Sequence, residues 1–244
     1  MRRIILVLCA LCMINPAFSL APFEVVSGDL PPFAIADQPH NPGALVELTE
    51  LLAERLQVAQ KVKFFPWARA LATAQNQPRV AVLPVTRTTE REDQFVWLVK
   101  MAVQRFGPIS KEDRPTKIDT LEQMRQLRIV VMRGSPTYNY LIRHHFTPQQ
   151  ILTESTIDGM LKALDKDVVD VIYGSEQINT AVIRNSGRQL NRYHIGKTVD
   201  MGEIWLAGSK GFSQEDILAF QQAMQALHKD GSYARLMKKY NLKP

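Results

Sequence analysis

The sequence predicts an α/β protein made of two successive units, each a mostly parallel sheet flanked by helices. Three observations carry this. Short β-rich runs alternate with helical stripes along the chain, which is the pattern of β-α-β units. Val80 to Val85 is an unbroken apolar run, as expected of a strand buried on both faces of a parallel sheet. After Leu121 the same alternation begins again.

In chain order, Phe23 to Ser27 reads as the first strand. Ala44 to Leu56 places apolar residues at 45, 48, 52 and 56, a helical stripe behind the turn Asn41-Pro42-Gly43. Lys61 to Phe65 is the second strand, and Pro66 opens a helix that starts Trp67-Ala68-Arg69-Ala70-Leu71. Val80 to Val85 is the third strand. In the second unit Leu121 to Leu127 reads as helix and Arg128 to Met132 as strand. The loop Gly134-Ser135-Pro136-Thr137 then feeds a helix from Tyr138 to His145. Ile151 to Glu154 is a strand, Ile157 to Leu164 a helix, and Val168 to Tyr173 a buried strand.

Between the units, Val103 to Arg114 combines an extended run, Gly107-Pro108 and a charged turn, and reads as an interdomain crossing. Arg184 to Gly196 is polar and aperiodic, which suits a return crossing or loop. The C-terminus is a helix pair. Ser213 with Asp216 makes a capping-box-like start, and Ile217, Phe220, Met224 and Leu227 form the buried stripe. Asp230-Gly231 stops that helix, and Ser232 to Tyr240 forms the second.

Met1-Arg2-Arg3, the apolar stretch Ile4 to Met13 and the small-x-small site Ala17-Phe18-Ser19 make up a secretory signal peptide. Residues 1–19 are therefore expected to be removed on export to the periplasm. The apolar stretch falls short of the roughly 20 residues that a bilayer span needs. Cys9 and Cys12 both lie inside it, each after a leucine, where a lipid-anchored cysteine would follow a small residue. The mature chain then has no cysteine, and its stability must come from its core rather than from disulfides.

Loss of Arg2 and Arg3 lowers the net charge from +6 to +4, with both signs interspersed. No basic stripe with interleaved aromatics is present, so nucleic-acid binding is not expected. No other segment is apolar enough to cross a membrane. His144-His145 would point about 100° apart on a helix and read as surface residues rather than a metal pair. No cofactor is expected.

The stretch from Val80 to Phe95 carries the most chemistry. A rigid strand ends at Thr86, and a charged turn after it carries Arg91. A guanidinium fork matches a carboxylate bidentately, which a lysine cannot do. Considered alone, Arg91 better suits a solvated helix start paired with Glu90 or Glu92, because surface ion pairs are common and weak. The rest of the chain reverses that preference.

Seven stretches recur in a characteristic order. Pro31-Pro32-Phe33 follows the first strand, Gly43 to Leu56 combines a glycine with an apolar helix, and Trp67 opens the second helix. Thr86 to Arg91 spells hydroxyl-x-Thr-x-x-Arg. Gly134-Ser135, Val169-Asp170-Val171, and Asp230-Gly231-Ser232-Tyr233 with Lys239-Tyr240 complete the set. From about Phe23 to Leu242 this order resembles the extracytoplasmic solute-binding proteins of polar amino-acid transporters, bacterial family 3.

The resemblance implies a type II periplasmic-binding-protein fold, with ligand held between two α/β lobes joined by two hinge crossings. Residues 20–105 and 197–244 would form lobe one, and residues 106–196 lobe two. It implies that Arg91 grips the carboxylate of a bound amino acid and that Thr86 adds a hydroxyl. Trp67 would line the cleft, or else pack in the core. Ser135 and Thr137 would offer N–H and hydroxyl groups to the anion, or else serve as an ordinary helix cap.

One departure from the family pattern matters. Where amino-acid binders carry an acid for the ligand's ammonium, this chain has Ser175, with Glu176 beside it. Leu30 also stands where many members have an aromatic, and Arg79 where many have Asp. Arg69 reads as solvated.

The expected function is a monomeric, non-enzymatic periplasmic receptor for a small carboxylate-bearing ligand, an amino acid or a relative, serving an ABC permease. The alternatives are a stand-alone periplasmic sensor without a permease, and a dehydratase-like enzyme using Glu176 or Glu154 as acid or base.

Overall fold

Strand and helix alternate along the chain in the computed structural model, which describes residues 20–114 and 116–243. The expected signal peptide lies outside the described residues. Strand β1 (Glu24–Ser27), helix α1 (Ala44–Arg55), strand β2 (Val62–Phe64), helix α2 (Trp67–Asn76) and strand β3 (Val80–Thr86) form the first unit. β1 lies between β2 and β3 and runs parallel to both.

The 16-residue strand β4 (Val96–Lys111) leads out of this unit. The second unit contains β5 (Ile129–Met132), α3 (Thr137–Arg143), β6 (Ile151–Glu154), α4 (Ile157–Asp165), β7 (Val171–Ser175), α5 (Glu176–Asn185) and β8 (Tyr193–Ile195). Here β5 lies between β6 and β7, again parallel to both. The chain returns through β9 (Asp200–Gly208) and ends in α6 (Gln214–Lys229) and α7 (Ser232–Lys239).

The strand order is β2-β1-β3-β9-β4-β7-β5-β6, with β8 also paired to β4. The outer pairings are parallel, but β3–β9, β4–β9, β4–β7 and β4–β8 are antiparallel. Each unit thus keeps a parallel three-strand set, and the joined sheet as a whole is mixed. The stretch read from sequence as a crossing is the second half of β4, and its partner β9 was not foreseen. Phe106 marks the changeover on β4, registering with Asp200 of β9 and Ser175 of β7.

Both faces of the second unit's sheet are covered, which explains its unbroken apolar runs. On β5, Ile129 and Val131 join a cluster with Leu141, Phe146 and Tyr173. Val130 and Met132 face the other way, into the larger core with Met160 and Ile172. Successive residues of one strand thus serve two cores.

Two sequence expectations shift. Leu121 to Leu127 forms only a 3-10 turn at Glu122–Met124, because Gln123 turns back to accept from the backbone N–H groups of Asp119 and Thr120. β7 begins at Val171 rather than Val168. Val168 is half exposed, and Asp170 is held in a side-chain knot just before the strand. Its carboxylate accepts from the Arg128 backbone N–H at 2.9 Å, from the Arg128 guanidinium twice at 3.0 Å, and from Arg114 at 3.2 Å.

Arg128 is the main cause that holds the Asp170 carboxyl down at about 2. A folded value below the unfolded one stabilises the protein above pH ~4, and the gain fades as pH falls toward 2. Asp170→Asn should therefore cost about 2 kcal/mol at pH 7, with the deficit shrinking in acid. Urea titrations at pH 7 and pH 3 check this; an equal deficit at both would sink the assignment.

At the C-terminus the capping box is present: Ser213 accepts from the Asp216 N–H, and Asp216 accepts from the Ser213 N–H. Gly43, just before α1, has φ +100°, and a Cβ there would stand 2.6 Å from the Phe33 carbonyl oxygen. That close approach lets the Pro31–Ala34 loop lie over the start of α1, where Ala44 and Leu45 donate to Pro32 and Phe33.

Candidate ligand-binding site

A cavity of about 40 Å³ lies where β3, β4 and β7 meet the starts of α2, α3 and α5. It collects Trp67, Thr86, Arg91, Ser135, Thr137 and Ser175, six of the seven residues singled out from sequence. Its walls are otherwise mainly apolar, with Leu30, Phe106, Met132, Ile157 and Met160 prominent. The enclosed space suits one or two waters, so a larger molecule must part the walls.

Arg91 sits in the 3-10 turn Thr89–Gln94, directly after β3. Its side chain folds back, Nη1 donating to the Thr86 carbonyl at 3.1 Å and Nη2 to the Gly134 carbonyl at 2.5 Å. Neither neighbouring acid pairs with it. Glu92 is held by Arg87, whose guanidinium lies over the Trp97 and Trp205 rings, and Glu90 is held by Arg143. The acids that could have made Arg91 a surface ion pair are thus taken by other arginines. Burial without a carboxylate partner pulls the Arg91 guanidinium down to about 10.

Trp67, the first residue of α2, is 6% exposed and donates Nε1–H to the same Gly134 carbonyl at 3.2 Å. It both packs in the core and lines the cavity. Gly134 has φ +79°, a left-handed conformation that turns this loop where β5 ends. Thr86 accepts from Gln104 Nε2 at 2.6 Å. Ser135 and Thr137 hydroxyls bond to each other at 2.6 Å. Ser175 caps α5, accepting from the Ile178 N–H at 3.4 Å.

Glu176 is the exception. Its carboxylate accepts from Arg105 Nε at 2.9 Å and Nη2 at 3.1 Å, with the Thr198 hydroxyl at 3.3 Å. Arg105 holds its carboxyl below the usual range, and it does not line the cavity. Consecutive residues at a helix start point in different directions, so Ser175 faces the cavity while Glu176 faces β4.

Among the described residues, no carboxylate lines this cavity. An adjoining cavity of about 190 Å³ shares Thr86, Phe106, Pro136 and Thr137, and it contains Arg143 and Asp200. Burial pushes the Asp200 carboxyl up. The outlying arginines are accounted for: Arg69 is exposed and lies over Phe65, and Arg79 pairs with buried Asp216. No group of three or more potential metal ligands, and no helix long and apolar enough to cross a membrane, occurs among the described residues.

Sequence reasoning missed Gln104 and Asn179. Gln104 is a polar residue of β4 that is nonetheless buried. Asn179 lies one helical turn beyond Ser175, on the same face of α5. That spacing was the available signal.

The mixed α/β sheet with its flanking helices is a periplasmic-binding-protein-like fold. Residues 25–243 match the bacterial extracellular solute-binding proteins, family 3, and the chain belongs to that family. A search of curated proteins gives no match.

Solved structures with the same fold include a histidine kinase sensor domain similar to periplasmic binding proteins (TM-score 0.82, 20% identity, 91% of this chain and 98% of that one). Another is an arginine-, lysine-, histidine-binding protein from Geobacillus stearothermophilus (TM-score 0.78, 16% identity, 91% and 97%). A third is the substrate-binding protein of an ABC uptake transporter from Streptococcus pneumoniae, with bound histidine (TM-score 0.77, 15% identity, 89% and 91%).

Proposed function

We propose that this chain is a periplasmic receptor that captures a small carboxylate-bearing solute on Arg91 and presents it to an ABC-type importer. The observation that carries this reading is a guanidinium in a mainly apolar cavity whose hydrogen bonds go to carbonyls alone. A cation partly taken out of water without an anion is a poor structural device, and it gains most from a ligand that brings the charge.

Residues 20–105 with 197–244 would move against residues 106–196 about β4 and β9. A solute joining Arg91 and Trp67 on one side to the Gly134 loop on the other would favour the shut form. Driving a 1:99 equilibrium to 99:1 needs about 5.5 kcal/mol of differential affinity. A charge-assisted pair with several hydrogen bonds is of that order. The residues 1–19 support export, and the neighbours that bind amino acids for uptake support the importer role.

The same capture would serve a sensor, and a sensor domain shares the fold. The enzyme reading has less support, because neither Glu176 nor Glu154 lines the cavity.

A thermal-shift screen of the mature chain against amino acids and simple carboxylates tests the proposal. A solute present at 100 times its Kd should add about 2.7 kcal/mol of stability. If uncharged isosteres shift the protein as much as the acids do, the carboxylate reading is wrong.

A further inference from the structure

Asn179 is fully buried in α5, and neither its Oδ1 nor its Nδ2 has a hydrogen-bond partner. It lines the same cavity as Arg91, among the apolar side chains of Ile157, Met160 and Ile178. The backbone makes room for it. A Cβ on Gly174 would stand 2.8 Å from Asn179 Nδ2, so the missing side chain at 174 is the space that the amide occupies. A buried amide with both ends unpaired is expensive, and natural cores rarely keep one without a partner. Replacing it with a hydrocarbon of similar shape would relieve that cost, so its presence calls for a role.

We infer that Asn179 sets the ligand specificity of this site by reading an uncharged hydroxyl on the bound carboxylate, so that hydroxy acids with an apolar body are preferred over the matching amino acids. This rests on the proposal that Arg91 holds the carboxylate. A primary amide offers one donor group and one acceptor, and a hydroxyl offers the complementary pair. An ammonium can use only the acceptor, and no carboxylate lines the cavity, among the described residues, to balance its charge. The apolar walls fit a branched or aromatic body. Ser175, standing where amino-acid binders have an acid, is spent on capping α5 and leaves the second polar contact to Asn179.

The test uses matched acids that differ only at C2. Valine, 2-hydroxyisovalerate and isovalerate form one set; phenylalanine, phenyllactate and 3-phenylpropanoate form another. Affinities are measured by calorimetry on wild type, Asn179→Leu and Asn179→Asp. In wild type the best-fitting hydroxy acid should bind about tenfold tighter than its deoxy partner, and tighter than its amino acid. Asn179→Leu should bring hydroxy and deoxy acids within about twofold, keep the deoxy acid's affinity, and hold or raise Tm. The near-isosteric Asn179→Asp should turn preference toward the amino acid.

An unchanged hydroxy-to-deoxy ratio in Asn179→Leu overturns the inference, and with a lowered Tm it assigns the amide to a bound water. Tighter binding of an amino acid by wild type, lost in Asp200→Asn, overturns it in favour of the adjoining cavity. If no acid of either set binds wild type, the carboxylate reading falls and this inference falls with it. If acids bind through Arg91 but ignore Asn179, only this inference falls.

Discussion

Arg91→Lys should weaken carboxylate binding by about 10- to 100-fold while leaving the fold intact. The two guanidinium nitrogens point to different acceptors, the Thr86 and Gly134 carbonyls. A lysine ammonium is a point charge and cannot hold one acceptor while presenting a parallel pair of N–H groups to a carboxylate. Loss of one charge-assisted hydrogen bond is worth about 1.5–3 kcal/mol, which gives that range.

The same residue has a stability signature. Arg91→Met removes a partly buried cation that only neutral carbonyls compensate, so the ligand-free protein should melt at a higher temperature while binding is abolished. Calorimetry with any acid found in the screen, alongside melting curves, checks both. Equal affinity in wild type and Arg91→Lys would show that the carboxylate docks elsewhere.

Gly43→Ala should destabilise the protein by about 3 kcal/mol or more. With φ +100° and ψ 151°, Gly43 occupies backbone space that is nearly closed to other residues, at a cost of about 1–3 kcal/mol for a side chain. The added methyl would also meet the Phe33 carbonyl oxygen at 2.6 Å and the Ala34 Cα at 2.7 Å, so the loop over α1 must lift. Gly187→Ala separates the two effects. Gly187 also has positive φ, but a Cβ there meets nothing within 4 Å, so its cost should be about 1 kcal/mol. Urea unfolding of both variants measures the difference. Similar losses at 43 and 187 would show that the contact with Phe33 is unimportant.

Local patterns fixed in sequence were the easiest to read. The α1 stripe, the Ser213–Asp216 cap and the run from Val80 are set by neighbours a few residues apart, and the structure keeps them. β9 was invisible because its burial does not alternate cleanly along Asp200–Gly208, and its pairing with β4 joins residues about a hundred positions apart.

At the site, Arg91 stood out because a strand end and a turn place it. What isolates it is not local. Glu92 and Glu90 are drawn away by Arg87 and Arg143, and Arg143 lies in the other unit. Asn179 shares a helix face with Ser175, but its burial comes from the packing of α5 beside β7, which is not local in sequence.

The Gly134 carbonyl makes the backbone and any arriving anion rivals for the same donors. It is a neutral acceptor tethered to the chain, so its local concentration is high and fixed. The affinity of a solute is then a difference between its own bond to Arg91 and the one it displaces. Weak anions lose that contest even where they would fit the walls. The concentration at which the receptor responds is accordingly set in part by how readily the left-handed turn at Gly134 lets go, and it could be retuned from that loop without altering a residue that touches the solute.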